Sequence, residues 1–301
     1  MIALAGLHFL LTYQCTLKCD HCFTWGSPRQ QGVMSLENLR AFLRQAKEAG
    51  TIERVAFEGG EPFLYYPILL AAVRESLELG FQVSIVTNSF WATSPADAAE
   101  WLRPFAGMLQ RLSISSDVLH WDETFSRQAR NARAAAAALG IETGILSTAH
   151  PLVTPPSCEL EQLPGGQGGV MFRGRAALKL APHVAGRPWQ EFTACPCENL
   201  REPGRMHLDP FGNLHICQGI IIGNLLQTPL CKICADYDAD THPIAGPLVA
   251  GGPAELARRY GLAVADTYAD ACNLCDAARL ALRERFPDVL GPEQMYGVNE
   301  R

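Results

Sequence analysis

The sequence has no apolar run approaching the roughly 18 residues that a membrane-spanning helix needs. Its longest candidate, Tyr66-Pro-Ile-Leu-Leu-Ala-Ala-Val73, is short enough to be the buried face of a globular helix. Positive charge is also in deficit: 25 Lys and Arg against 31 Asp and Glu leave a net charge of −6. A nucleic-acid partner calls for a basic face, so this balance argues against one, although not against a local basic patch. The start, Met1-Ile-Ala-Leu4, lacks the basic opening of a secretory signal and reads straight into a strand. These absences predict a cytoplasmic chain with no membrane or nucleic-acid partner. At 301 residues and 48% hydrophobic, it is long enough for one large domain, or for one domain and a smaller one.

What the chain has in quantity is cysteine, eleven in all. Without a signal these read as metal or redox ligands rather than a disulfide frame. Three stand together in Cys15-Thr-Leu-Lys-Cys19-Asp-His-Cys22, a Cys-x3-Cys-x2-Cys spacing with the aromatic His21 just before the last thiol. Three thiolates on one short loop can hold three corners of a [4Fe–4S] cube and leave the fourth iron open. A zinc knuckle also draws on closely spaced cysteines, and spacing alone leaves both readings open.

Around this loop the pattern alternates strand and helix. Residues 2–14 are strand-like, and Ser35 is the N-cap of a helix whose apolar face is Leu36, Leu39, Leu43 and Ala46, ended by Gly50. Strands are predicted over 53–58, 81–87, 111–115 and 141–149, with helices over 62–79, 95–105 and 121–139, and a sixth strand over 170–176. Such alternation predicts a parallel sheet in an α/β fold, specifically a partial (β/α)6 TIM-like barrel with its site at the strand C-terminal ends. The Pro- and Gly-rich residues 150–169 read as a loop over the mouth of that site. After residue 190 the alternation stops, which divides the chain into 1–190 and 191–301, the second being a small Cys-rich extension. In it, His207 to Cys217 reads as a β-hairpin with Asp209-Pro-Phe-Gly212 as its turn.

A second motif, Val55-Ala-Phe-Glu-Gly59-Gly60-Glu61-Pro62, ends the second strand in two glycines, an acid and a proline. Glycines there permit close approach to the backbone, and proline suits the first turn of a helix. Val86-Thr87-Asn88-Ser89 ends the third strand. Together with the cysteine loop these segments resemble the radical S-adenosylmethionine (radical SAM) superfamily. Ser89 stands where that family usually has glycine.

The resemblance implies that Cys15, Cys19 and Cys22 bind a [4Fe–4S] cluster whose open iron chelates S-adenosylmethionine (SAM). Gly59, Gly60 and Glu61 would hold the methionyl ammonium, and Thr87 and Asn88 the ribose; Ser115, which ends the fourth strand on the cofactor side of the expected barrel, is a further candidate SAM contact. The cluster's electron would release a 5′-deoxyadenosyl radical, which implies a reductase, ferredoxin or flavodoxin as electron donor.

Eight cysteines remain: Cys158, Cys195, Cys197, Cys217, Cys231, Cys234, Cys272 and Cys275. Gly212-x4-Cys217 is similar to the SPASM/Twitch extensions that bind auxiliary clusters. The resemblance implies one auxiliary [4Fe–4S] cluster held by Cys195 or Cys197, with Cys195 preferred, together with Cys217, Cys272 and Cys275. Cys231 and Cys234 also form a Cys-x2-Cys, but on a helical pattern that packs thiols as small apolar groups. Two auxiliary clusters would need all eight thiols, and zinc would equally take two cysteine pairs.

For acid–base work the candidates are Asp117 and His120 after the fourth strand, with His150 after the fifth. Arg173 and Arg175 are candidate carboxylate ligands, and Cys158 a candidate substrate contact. The subgroup resembled modifies peptides or small molecules, by crosslinking or dehydrogenation. The expected substrate is therefore a peptide or small molecule. A separate peptide-recognition protein is expected too, because no recognition domain precedes the first strand. The alternative is a non-catalytic iron–sulfur or zinc protein that carries electrons or assists assembly.

Overall fold

The structure, a computed structural model, describes residues 2–152 and 168–298. In chain order the elements of the sheet half are β1 (Gly6–Thr12), α1 (Leu36–Glu48), β2 (Arg54–Gly59), α2 (Tyr66–Glu78), β3 (Gln82–Thr87), α3 (Pro95–Leu102), β4 (Arg111–Ser115), α4 (Val118–Trp121), α5 (Arg127–Ala138) and β5 (Thr143–Leu146). Then follow α6 (Arg175–Lys179), β6 (Arg187–Pro188), β7 (Arg205–Leu208), β8 (Asn213–Cys217), β9 (Ile220–Asn224), α7 (Leu230–Asp236), α8 (Ala245–Arg259), β10 (Thr267–Tyr268) and α9 (Ala271–Leu282).

One eight-stranded sheet runs β5-β4-β3-β2-β1-β7-β8-β9. Its first six members are parallel and the last two pairings are antiparallel. The mixed α/β fold with a mostly parallel sheet is therefore as expected. The identity of the sixth parallel strand is not. Val170 to Gly174 is irregular and leads into α6, while Arg205–Leu208 takes the place beside β1. The reason is local: Gly174 sits at φ +60, and its backbone lies against Cys22 and Phe23, where a Cβ would come within 2.7 Å of the Cys22 carbonyl oxygen. That segment is shaped by the cysteine loop and not by a ladder.

The helices form as their caps dictate. Ser35 Oγ accepts from Asn38 N and buries Leu39, Phe42, Leu43 and Ala46 of α1 under the sheet. Ser94 and Ser126 cap α3 and α5 in the same way. The long helix expected over 121–139 is broken: Asp122, at φ +56, ends α4, and α5 restarts at Arg127. Leu7, Phe9 and Leu11 of β1 and Val55 and Phe57 of β2 join one core with α1 and α2. That core continues into Leu208, Leu214, Ile216 and Tyr296, so sheet and core both run across residue 190. Alternation along β1 sends His8 and Leu10 to the opposite face. No helix is long and apolar enough to cross a membrane among the described residues.

Candidate active site

The three thiols of the first loop line a cavity of about 280 Å³ at the C-terminal ends of β1 to β5. Gly59, Gly60, Thr87, Asn88, Ser115 and His120 also line it, together with Glu58, Phe23 and Arg173. A wider hollow of about 620 Å³ lies between α6 and α9, but its wall holds no sulfur. Chemistry therefore belongs to the smaller cavity.

Donors are already turned toward the sulfurs. Leu17 N lies 3.4 Å from Cys15 Sγ, Asn88 Nδ2 3.4 Å from the same atom, and Gly26 N 3.2 Å from Cys22 Sγ. Hydrogen bonds of this kind stabilise a thiolate in a metal site. Burial, with the nearby Glu61 charge, pushes the Cys15 thiol up to about 12. Burial and the neighbouring Cys22 push Cys19 well above the usual thiol range. Thiols so placed stay protonated until a cation compensates them, as a metal-ligand loop requires.

The two glycines are required by the protein's own backbone. Gly59 adopts φ +129, and a Cβ there would lie 2.4 Å from the Thr12 carbonyl oxygen; one on Gly60 would lie 2.0 Å from that of Gln14. Gly60 N donates to Thr12 O and Glu61 N to Gln14 O, which locks the end of β2 against the start of the cysteine loop. Glu61 is fully buried, and its oxygens accept from Phe63 N, Thr87 Oγ1 and Asn88 N at 3.1, 2.9 and 2.8 Å. Burial, only partly offset by those bonds, pushes its carboxyl up to about 7. Glu61 thus ties β2 to β3 instead of lining the cavity.

The third segment is similarly committed. Thr87 Oγ1 also accepts from Trp91 Nε1 at 3.1 Å, and Asn88 Nδ2 reaches Thr16 Oγ1 at 3.1 Å. Ser89 sits at φ +56, the left-handed region that favours glycine, which explains why the family pattern has glycine there. Ser115 ends β4 on the cavity wall.

Asp117 is fully buried as the N-cap of α4, accepting from Leu119 N and His120 N, and its second oxygen takes Thr148 N at 2.8 Å. Burial works against its charge, but the His120 ring 2.9 Å away holds the carboxyl below the usual range. Asp117 therefore orients His120, and His120 is the member of the pair that reaches the cavity. His120 packs edge-on to His21 with centroids 4.6 Å apart. Among the described residues, His150 accepts from Leu152 N and is not in the cavity wall.

The two arginines separate. Arg175 bonds the carbonyl oxygens of Cys19, Trp25 and Gly26 at 2.7, 2.9 and 3.0 Å and stacks on Trp25, so it clamps the cysteine loop from behind. It is not positioned as a substrate-carboxylate ligand. Arg173 lines the first cavity and a second one, and its Nη1 lies 3.6 Å from Cys217 Sγ.

That second cavity is walled by Cys195, Cys197, Cys217, Cys272 and Cys275 with Arg173 and Arg279. Cys197 and Cys272 have their sulfurs 3.7 Å apart. Burial raises the Cys195, Cys217 and Cys275 thiols, as at the first loop. Cys231 and Cys234 are on α7, outside this wall. Cys158 lies outside the described residues, as do residues 153–167 of the expected mouth loop.

Sequence reasoning missed Glu58, which lines the first cavity and lies against His8 and His207. Those histidines are far apart in the chain, and only the β1–β7 pairing joins them.

The Radical SAM superfamily sequence model matches residues 9–155. YydG of Bacillus subtilis, whose name assigns it to peptide biosynthesis, is 29% identical over 111 residues, covering 36% of this chain and 35% of YydG. The S-adenosylmethionine-dependent nucleotide dehydratase of a Fibrobacter species is 25% identical over 117 residues, covering 37% of this chain and 33% of the dehydratase. The chain thus spans about a third of the length of these curated relatives. The solved structure of anSMEcpe with bound AdoMet covers 94% of this chain and 97% of its own at 13% identity and a TM-score of 0.49. The matched stretch, residues 9–155, carries the three thiols, the paired glycines and Asn88, and over it the chain is similar to the radical SAM superfamily.

Proposed function

We propose that the protein is a radical SAM enzyme that modifies a peptide or small-molecule substrate. The observation that carries this reading is the convergence of Cys15, Cys19 and Cys22 with the backbone ends of β2, β3 and β4 on one cavity. The fit to a [4Fe–4S] cluster rests on three loop thiols, with N–H donors turned toward Cys15 and Cys22, and no fourth cysteine in the wall among the described residues. The fit to SAM rests on Gly59 and Gly60, whose backbone lines the cavity beside those thiols. When bound, the pair supplies a 5′-deoxyadenosyl radical, the hard chemistry that the protein itself only positions.

The chain's own residues then have definite roles. Leu17 and Asn88 hold the Cys15 sulfur and Gly26 the Cys22 sulfur by hydrogen bonds, Arg175 fixes the loop backbone, and Gly59, Gly60, Asn88 and Ser115 shape the cofactor wall. His120, oriented by Asp117, is the group placed to accept or donate a proton at the cavity edge. The second cavity fits an auxiliary [4Fe–4S] cluster, with Cys217, Cys272 and Cys275 as three ligands and Cys195 or Cys197 as the fourth. Closeness to Cys272 favours Cys197 over Cys195. Residues 1–190 and 191–301 are read as the radical SAM unit and its cluster-binding extension, sharing one sheet.

Of the two substrate classes a peptide is favoured, on the likeness to YydG; crosslinking and dehydrogenation stand as the two reaction classes. An external reductant of the flavodoxin or ferredoxin type and a separate peptide-recognition protein belong to the same reading. The test is anaerobic incubation with SAM and dithionite: 5′-deoxyadenosine or another SAM fragment is expected, and its absence with every candidate substrate sinks the proposal in favour of an electron carrier.

A further inference from the structure

Below the cysteine cavity, three strands assemble side chains that the thiols do not use. His8 is opposite His207 in the β1–β7 ladder, and Leu10, two residues on, is opposite Glu58 in the β1–β2 ladder. Residues two apart share a face, so His8, Glu58 and His207 stand on the same side of the sheet. His8 Nδ1 lies 3.3 Å and His207 Nε2 3.0 Å from Glu58, and both approach the same oxygen, Oε1. The three ligand atoms all lie within 4.8 Å of one another.

We infer that His8, Glu58 and His207 bind one divalent transition-metal ion of the zinc, iron or manganese class at the cavity floor. Metal bonds of about 2.0–2.2 Å put neighbouring ligand atoms roughly 3.0–3.4 Å apart at octahedral to tetrahedral angles, which the two short separations match. Two imidazoles and one carboxylate select such an ion over magnesium or calcium, which prefer all-oxygen sets.

The side chains are 27, 15 and 6% exposed for His8, Glu58 and His207, so the site is enclosed but not sealed. Glu58 is part of the first cavity's wall, as is Phe23, whose ring packs edge-on to His207 at 6.4 Å. The ion's remaining positions take water or a substrate oxygen, which fixes a carbonyl or carboxylate group in the cavity.

The test uses the full chain with its iron–sulfur sites reconstituted, dialysed against zinc chloride. One zinc per chain beyond the iron is expected. Its K-edge absorption should give only nitrogen and oxygen neighbours near 2.0–2.1 Å, without sulfur near 2.3 Å. Glu58→Gln and His8→Gln should each weaken zinc binding by about 100-fold or more, since loss of an outer-shell partner already costs 10–100-fold. No added zinc in the wild type, sulfur neighbours, or unchanged binding in both variants overturns the site. If a variant does not fold, the wild-type absorption spectrum decides. Iron content and SAM cleavage are read separately, so failure here leaves the radical SAM reading standing.

Discussion

Cys15, Cys19 and Cys22 stand within one eight-residue stretch, whereas the second cavity gathers thiols from three: Cys195 and Cys197 in a loop, Cys217 at the end of β8, and Cys272 and Cys275 on α9. The first set needs only one loop to be bent correctly, and β1, β2 and β3 bend it through Gly59, Gly60, Glu61 and Asn88. The second set needs the whole C-terminal segment to have folded first. Residues 172–175 join the two: Gly174 and Arg175 brace the first loop, Arg173 reaches Cys217, and Phe172 N and Gly174 N donate to Asp270 and Asp276 beside the α9 thiols. One site is local and sheet-built, the other is dispersed and core-built, and a four-residue segment couples them.

The sharpest way to break this comparison is to empty one site and count what survives in the other. Replacing Cys15, Cys19 and Cys22 together by Ala should remove about four of about eight irons and abolish SAM cleavage. Replacing Cys217 or Cys275 by Ala should also remove about four irons, but leave SAM cleavage measurable. Cys231→Ala with Cys234→Ala should cost no iron. If both thiols of α7 prove necessary for iron, the second site is wrongly drawn.

Next in size are the glycines. Gly60→Ala drives a Cβ into Gln14 O and should cost more than about 3 kcal/mol, read by chemical denaturation, because the clash is with backbone. Gly252→Ala is its counterpart at the second site: φ is +66 and the Cβ would meet Ala194 N at 2.3 Å, beside Cys195. It should loosen the proposed auxiliary cluster, seen as faster iron loss to a chelator, while the first cluster persists.

Arg175→Ala removes bonds to Cys19 O, Trp25 O and Gly26 O and should cost about 3 kcal/mol, with a first cluster that bleaches sooner in air. The smallest effect is on pH dependence. Glu61 has its folded pKa raised to about 7 from 4.5, so the folded chain holds a proton that the unfolded chain gives up. Its contribution to stability is full below about pH 4.5 and is lost as pH rises through about 7. Glu61→Gln should flatten that slope in urea titrations, yet lower stability throughout, because an amide N–H₂ would face the Asn88 N–H.

Much of this was legible in the sequence. Thiol spacing, paired glycines and strand ends are local patterns, and local patterns survive being read along the chain. The parallel alternation through β5 was equally open, since each strand and helix carries its own periodicity and cap. Residues 170–176 misled because Val170-Met-Phe172 looks like a strand by composition, while its conformation is set by contact with Cys22. Asp117 looked like a base by position, but its lone pairs are spent capping α4 and holding Thr148.

By itself, then, the chain order determined the cysteine loop, its family resemblance and the layout of five parallel strands, because those depend on neighbours within a few residues or on one strand–helix repeat. Tertiary structure alone decided that Arg205–Leu208 closes onto β1, that Cys197 rests against Cys272, and that His8, Glu58 and His207 meet. Each of these joins residues from 50 to about 200 positions apart. Such pairings are selected by burial of the shared core and by sheet register, which no short window of sequence contains.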